Sequence, residues 1–382
     1  MMVVQCGMDA GKDGAMDDRA QIVDQKLQLL IRHFKEVLYE DDEKFLEGMK
    51  ATAVPVEEIL KYRHWEWTQG VGLYGFWKYY NQTGDPDVLA EIKAYYEARI
   101  AEGLPGKNVN TTAPMLTLSC LYEKTGDKRY GAICTEWAQW LMDQLPKTRG
   151  GGFQHLTSDT LNDQELWDDT LFMAVLFLAN MSRIEHRKDW ISEAKYQFLL
   201  HIRYLADTET GLFFHGWTFN GRHNFARGRW GRGNCWLTSS IPELLEMIDC
   251  EGFFTRYLQE VLTSQADALK AYQSPEGMWH TLVDDPSSYL EASCTCGFGY
   301  GLLAGVRLGL LSPEYRGTAM KALDPILDLI DETGTVQQVS YGTPMGRDSA
   351  DFYKNIELKP MPYGTAMAIL FLLEAKQVID KK

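Results

Sequence analysis

The sequence predicts an all-α fold, an (α/α)6 barrel of six helical hairpins, from three observations. Helix-period patterning runs through the 382 residues with almost no strand-like alternation. Charge-bearing, weakly amphipathic segments alternate with apolar, small-residue-rich ones. A helix with a polar face belongs outside, and one that is apolar all round belongs inside. Finally, a glycine–aromatic turn recurs about every 60 residues, a period typical of stacked helical hairpins.

The outer helices are expected near 20–39, 87–103, 128–145, 187–206, 252–272 and 314–331. Their inner partners are expected near 65–80, 111–124, 165–181, 234–248, 292–309 and 362–378. Gln82-Thr-Gly-Asp85 and Lys124-Thr-Gly-Asp127 mark helix exits, where glycine takes the left-handed cap. The recurring turn reads Gly152-Phe-Gln-His155, Gly211-Leu-Phe-Phe-His215, Gly277-Met-Trp-His280 and Gly334-Thr-Val-Gln337. Residues 1–18, rich in Gly and Asp, read as a flexible lead-in. Residues 19–382 read as a single barrel domain, with no Pro/Ser-rich linker.

Composition narrows the function. A net charge of −15 argues against nucleic acid and anionic membranes as partners. There is no run of about 18 apolar residues to span a bilayer, and the N-terminus lacks the basic and apolar regions of a secretory signal. Seven cysteines, scattered and without a CxxC pair, fit reduced thiols and a cytoplasmic protein. The acids and histidines are not spaced as metal ligands, so neither metal nor cofactor is expected.

Closing six hairpins into a ring gathers the inner-helix N-termini and the loops before them at one end. Free N–H groups and the positive dipole end favour anions there. His64-Trp-Glu-Trp67, Asn108-Val-Asn110, Trp167-Asp-Asp169, Arg232 to Trp236, Ser293 and Tyr363 should converge at that end.

Within this set, Asp168 and Asp169 head a strongly apolar helix. Neighbours on a helix diverge by about 100°, so one should face the funnel while the other caps or bonds a loop. Acids at helix starts are common, but Trp167, Leu171, Phe172 and Met173 form an apolar wall that raises a carboxyl pKa and suits a proton donor. His155 and His215 occupy matching repeat positions. Trp67, Trp217, Trp230 and Trp236 offer flat apolar faces for sugar C–H surfaces. Arg232, between glycines in a run that also holds Arg222, Arg227 and Arg229, has room for a bidentate carboxylate contact. Ser340-Tyr-Gly-Thr343 adds hydroxyls. A small anionic oligosaccharide bearing a uronic acid is the expected ligand.

From about Trp65 to Glu374 the chain resembles the unsaturated glucuronyl and rhamnogalacturonyl hydrolases, glycoside hydrolase families 88 and 105, and family 105 more closely. The resemblance rests on Trp67-Thr-Gln-Gly-Val-Gly, Gly152-Phe-Gln-His155, Trp167-Asp-Asp-Thr-Leu-Phe-Met-Ala174, His215-Gly-Trp217 and Trp230-Gly-Arg-Gly-Asn-Cys-Trp236. It implies the (α/α)6 barrel, Asp169 as catalytic acid, His155 and His215 as substrate histidines, and Trp230, Arg232 and Trp236 as pocket residues. It departs at Asn110, where many relatives carry a second aspartate. The implied reaction protonates C4 of a 4,5-unsaturated uronide and hydrates C5. Two rivals stand beside it. A sugar 2-epimerase would pair His155 with His215 but leave the Trp-x-Asp-Thr-Leu-Phe-Met element idle, and a silent sugar-binding protein has little use for a protonatable aspartate.

Overall fold

The computed structural model describes residues 10–248 and 252–381, with side chains from residue 18 onward. The chain begins with α1 (Ala10–Val37), two short helices α2 (Glu43–Lys50) and α3 (Val56–Tyr62), then α4 (Trp67–Thr83) and α5 (Pro86–Glu102). Next come α6 (Val109–Thr125), α7 (Lys128–Asp143) and a strand β1 (Glu165–Trp167). A π-helical turn at Leu171–Val175 runs directly into α8 (Leu176–Ile184). After α9 (Lys188–Leu205) and strand β2 (Gly216–Thr218) follow α10 (Gly231–Met247), α11 (Phe253–Tyr272) and α12 (Ala292–Arg307). The chain ends with α13 (Tyr315–Lys321), α14 (Leu323–Leu329), α15 (Asp351–Lys354) and α16 (Pro362–Asp380).

The inner helices α4, α6, α8, α10, α12 and α16 each pack on the next, and α16 returns to α4, closing an (α/α)6 ring. Every residue from Ala292 to Gly305 of α12 is buried. Its glycines permit this close approach: a Cβ at Gly301 would fall 2.3 Å from the Thr238 carbonyl oxygen of α10. The Thr-Gly-Asp exits serve both ends of a junction. Gly84 and Gly126 take the left-handed cap, and Asp85 and Asp127 then cap α5 and α7 through the amides of Asp87 and Arg129.

The recurring turn closes the outer ring as well. Gly211, Gly277 and Gly334 have φ of +82°, +95° and +89°, and each sits on the backbone of the following outer helix, at Ser264, Lys321 and Leu29 respectively. In the first repeat the positive φ falls on Gly151 rather than Gly152.

Three expectations are revised. Helix α1 starts at Ala10, ahead of the expected position near 20, and residues 1–9 of the expected lead-in lie outside the described residues. Helices α2 and α3 went unforeseen because they are short and Glu-rich; they fold over their own small cluster of Met49, Ile59 and Tyr62. The third inner helix does not start at 165. Glu165–Trp167 instead pairs antiparallel with Gly216–Thr218, Leu166 opposite Trp217. Cys120, Cys134, Cys235, Cys294 and Cys296 are free thiols.

Candidate active site

The inner-helix N-termini enclose a cavity of about 460 Å³, a size suited to a small ligand. Its wall includes Trp67, Asn110, His155, Asp169, Trp230 and Arg232, all named from sequence, together with Glu66, Trp167 and Arg347. A larger cavity, about 850 Å³, opens at the opposite end among the helix C-termini. Its charges are largely paired internally, as Lys78–Glu243, Arg183–Glu123 and Arg307–Glu374, so we place the chemistry at the N-terminal end.

Backbone hydrogen bonds around β1 assemble the centre. The His155 amide donates to the Glu165 carbonyl at 3.1 Å, and the Asp168 amide to the His215 carbonyl at 3.0 Å. Both histidines and both aspartates are thereby zipped together. Asp168 occupies the turn between β1 and the helix, outside regular helix geometry. One aspartate, Asp169, faces the cavity and the other, Asp168, does not, yet they stay close: side-chain atoms of Asp168, Asp169 and His215 all lie within 4.8 Å of one another.

Asp169 faces the cavity with 18% of its side chain exposed, and its Oδ2 lies 3.3 Å from His215 Nε2. Burial opposes its ionisation, but the hydrogen bond and charge of His215, with His155 and Asp168 in support, hold its carboxyl well below the usual range. Asp168 is wholly enclosed, and burial followed by the charge of Asp169 pushes its carboxyl far up. The raised carboxyl expected of this pair therefore falls on Asp168, one residue away from the cavity-facing acid. His155 stacks on Trp167 at 4.3 Å, its Nδ1 lies 2.8 Å from Thr170 Oγ1, and burial lowers it to about 4, so it is uncharged at neutral pH.

Arg232 is 1% exposed and its fork is already engaged. Nη1 donates to the Ser340 carbonyl at 2.9 Å and hydroxyl at 2.5 Å, and Nη2 to the Tyr341 carbonyl at 3.1 Å and Thr343 Oγ1 at 2.9 Å. The bidentate grip expected on a substrate carboxylate is replaced by a grip on this loop, and its Nε is left buried without a partner. Its neighbour in the run, Arg229, is tied to Asp207 at 2.5 Å and Asp284 at 2.6 Å.

The tryptophans divide into two groups. Trp67 stacks on Tyr363 at 4.5 Å, and Trp230 lies 4.4 Å from the His215 ring, both on the cavity wall. Trp236, 1% exposed, backs Trp67 and Phe172 from behind. Trp217 packs on Tyr204, Phe219, Leu166 and Leu200 in a satellite cluster away from that wall.

Sequence reasoning gave no role to three groups, of which only Glu66, within His64-Trp-Glu-Trp67, was placed at this end. Glu66 caps α4 in a reciprocal box with Gln69 and accepts hydrogen bonds from Ser158 and Asn110; burial raises it to about 7. An acid directly before the tryptophan that opens an apolar inner helix was the available signal. Arg347 comes from the aperiodic segment after α14 and Tyr353 from the four-residue helix α15 that follows it, and neither carried a signal of its own. Arg347 pairs with Glu165 at 2.7 Å, and that carboxylate also accepts from Trp167 Nε1 at 2.9 Å.

Comparison with known proteins identifies the family. Residues 44–379 match Glycosyl Hydrolase Family 88. The chain is 30% identical over 313 residues to the unsaturated rhamnogalacturonyl hydrolase YesR of Bacillus subtilis (strain 168), covering 81% of this chain and 89% of that one. The structure of a possible member of the GH105 family from Klebsiella pneumoniae superposes with a TM-score of 0.85 at 46% identity, over 92% of this chain and 93% of that one. A second possible member, from Salmonella enterica, gives 0.86 at 44%, over 92% and 94%. This chain belongs to glycosyl hydrolase family 88.

Proposed function

We propose that the chain is a hydrolase that removes a 4,5-unsaturated uronic acid from the non-reducing end of lyase-generated oligosaccharides of the rhamnogalacturonan or pectin type. One observation carries the reading: the Asp169 carboxyl opens into a tryptophan-walled cavity while its Oδ2 is buried against His215. Family membership and the name of the relative YesR support the same chemistry.

An ordinary glycosidase places two carboxyl groups about the scissile bond. An unsaturated uronide needs less, because its ring is already a vinyl ether. Protonating C4 converts the C4=C5 electron pair into a C–H bond and leaves an oxocarbenium-like centre at C5. Water adds at C5, and the resulting hemiketal opens to release the next sugar. Asp169 delivers the proton and, once ionised, receives one from the attacking water. Trp67 and Trp230 take the flat faces of the sugar. His155, Asn110 and Glu66, on the cavity wall, address its hydroxyls, while His215 lies behind that wall and holds Asp169. With the Arg232 fork buried and engaged, Arg347, whose side chain is 47% exposed at the cavity mouth, is the accessible guanidinium for the uronate, which would compete with Glu165 for it. The unpaired cysteines support a cytoplasmic enzyme that finishes imported fragments.

The test follows the ultraviolet band of the enoate on unsaturated disaccharides from rhamnogalacturonan, pectate, glycosaminoglycan and ulvan. Loss of the band on at least one, abolished by Asp169→Asn in a folded protein, is the expected result. An epimerase or a pure binding protein would leave the band intact on every substrate. Near-normal turnover by the variant would remove Asp169 from its role.

A further inference from the structure

Asp168 has no task in the reaction above, yet it is the most enclosed acid of the site. None of its surface is exposed, and neither carboxylate oxygen has a hydrogen-bond partner beyond the aspartate pair itself. Glu291, buried nearby to 1% exposure, provides the contrast. It accepts from Ser293 Oγ at 2.8 Å, the Cys294 amide at 2.6 Å and the Ser340 amide at 2.8 Å. A carboxylate stripped of water and set beside a second carboxylate is too costly to persist, so Asp168 holds a proton. Gly233 closes the space above it: a Cβ there would lie 2.3 Å from Asp168 Oδ2. The acceptor within reach is Asp169, whose other neighbour, His215, favours a carboxylate at that position.

We propose that Asp168 stores the proton that Asp169 delivers, the two carboxyls sharing one proton across their buried contact. The assignment rests on the hydrolase reading and removes its main difficulty: His215 keeps Asp169 ionised at rest, yet Asp169 must act as an acid. The Asp168 O–H bond breaks as an Asp169 O–H bond forms. That bond breaks in turn as the C4–H bond forms from the C4=C5 pair. Water attacking C5 gives its proton to Asp169, which passes it back, so the dyad ends with the single proton it began with. Two acids held in contact titrate as a pair in this way because both cannot ionise together. The opposed shifts of the two carboxyls agree with this. The groups facing the pair are His155, His215, Arg232, Cys235 and Tyr353.

The near-isosteric Asp168→Asn keeps a polar group but removes the transferable proton. We expect kcat to fall by about 100-fold or more, the scale of a lost general acid, with KM within about threefold of wild type. Wild-type kcat in a folded Asp168→Asn protein overturns the proposal, and the hydrolase reading survives that result if Asp169→Asn is inactive. Should Asp168→Asn fail to fold, carboxyl-labelled aspartate in the wild-type protein decides by carbon NMR. One aspartyl group must remain protonated at about pH 7, and a spectrum in which every aspartate is ionised refutes the shared proton. Wild-type protein inactive on every unsaturated substrate would instead sink the hydrolase reading, and the NMR experiment would still test the dyad.

Discussion

The hydroxyl of Tyr353 lies 2.7 Å from Nδ1 of His215. The same hydroxyl oxygen accepts the Gly346 amide at 3.0 Å, and of the two acceptors within reach of its own hydrogen the imidazole is nearer and stronger than the Met345 sulfur at 3.8 Å. That assigns His215 the tautomer with Nδ1 as acceptor and the proton on Nε2, facing Asp169 at 3.3 Å.

Tyr353→Phe keeps the ring, which packs near Trp230, and removes this constraint. The His215 donor to Asp169 is then no longer fixed, and the Asp169 carboxyl rises back toward its ordinary range. We expect kcat to drop about tenfold with KM nearly unchanged, and the acidic limb of the kcat–pH profile to move to higher pH. A variant whose profile superposes on wild type would show that Tyr353 only fills space.

Why the site was partly legible in the sequence follows from where its residues sit. Trp67, Asn110, Asp169 and Arg232 stand at or beside the starts of inner helices, and an apolar helix is recognisable from composition alone. Once six such helices are counted, their N-termini must meet. Asp168 was misplaced because helix periodicity was extended over Glu165–Trp167, where pairing with Gly216–Thr218 overrides it. Arg232 was expected to grip a carboxylate; it stands on the cavity wall, but its partners, Ser340 to Thr343, lie over 100 residues away and no local pattern joins them. Trp217 and Trp236 show the same limit, since composition cannot say which face of a tryptophan meets the cavity.

Glu66 predicts two pH effects. Burial raises it from 4.5 to about 7, so between those values the native state holds a proton that the unfolded chain releases. Native stability therefore falls as pH rises through that window, by on the order of 3 kcal/mol in total. Glu66→Gln lacks this term, so its melting temperature relative to wild type should climb between about pH 5 and 8. In the cavity, ionised Glu66 also repels a uronate, so wild-type KM should rise as pH passes about 7 while that of Glu66→Gln stays flat. Parallel melting curves and parallel KM profiles would remove Glu66 from both roles.

Gly334 tests the closure of the outer ring. Its φ is +89°, and a Cβ would fall 2.3 Å from the Leu29 carbonyl oxygen, a backbone atom that cannot swing aside. Gly334→Ala should cost several kcal/mol, more than the roughly 1 kcal/mol typical of point substitutions. Thermal melting measures it. Gly309, also at positive φ but with open space around it, is the control: Gly309→Ala carries the backbone cost without the clash.

Arg232 links the loop to the cavity wall, and replacing it by lysine separates its charge from its geometry. The guanidinium ties Ser340, Tyr341 and Thr343; four residues before Arg347, that loop also supplies the Gly346 amide that orients the Tyr353 hydroxyl. A lysine keeps the cation but cannot reach all of these acceptors, and each one left buried and unpaired costs about 1–3 kcal/mol. Arg232→Lys should therefore lose several kcal/mol of stability and release the loop at the cavity mouth. Because Arg347 and Gly346 move with that loop, KM should rise and kcat should fall together, unlike Tyr353→Phe, which changes kcat alone. If Arg232 instead gripped the substrate carboxylate directly, KM would rise with the melting temperature and the kcat–pH profile unchanged, and the engaged fork seen here would not describe the working enzyme.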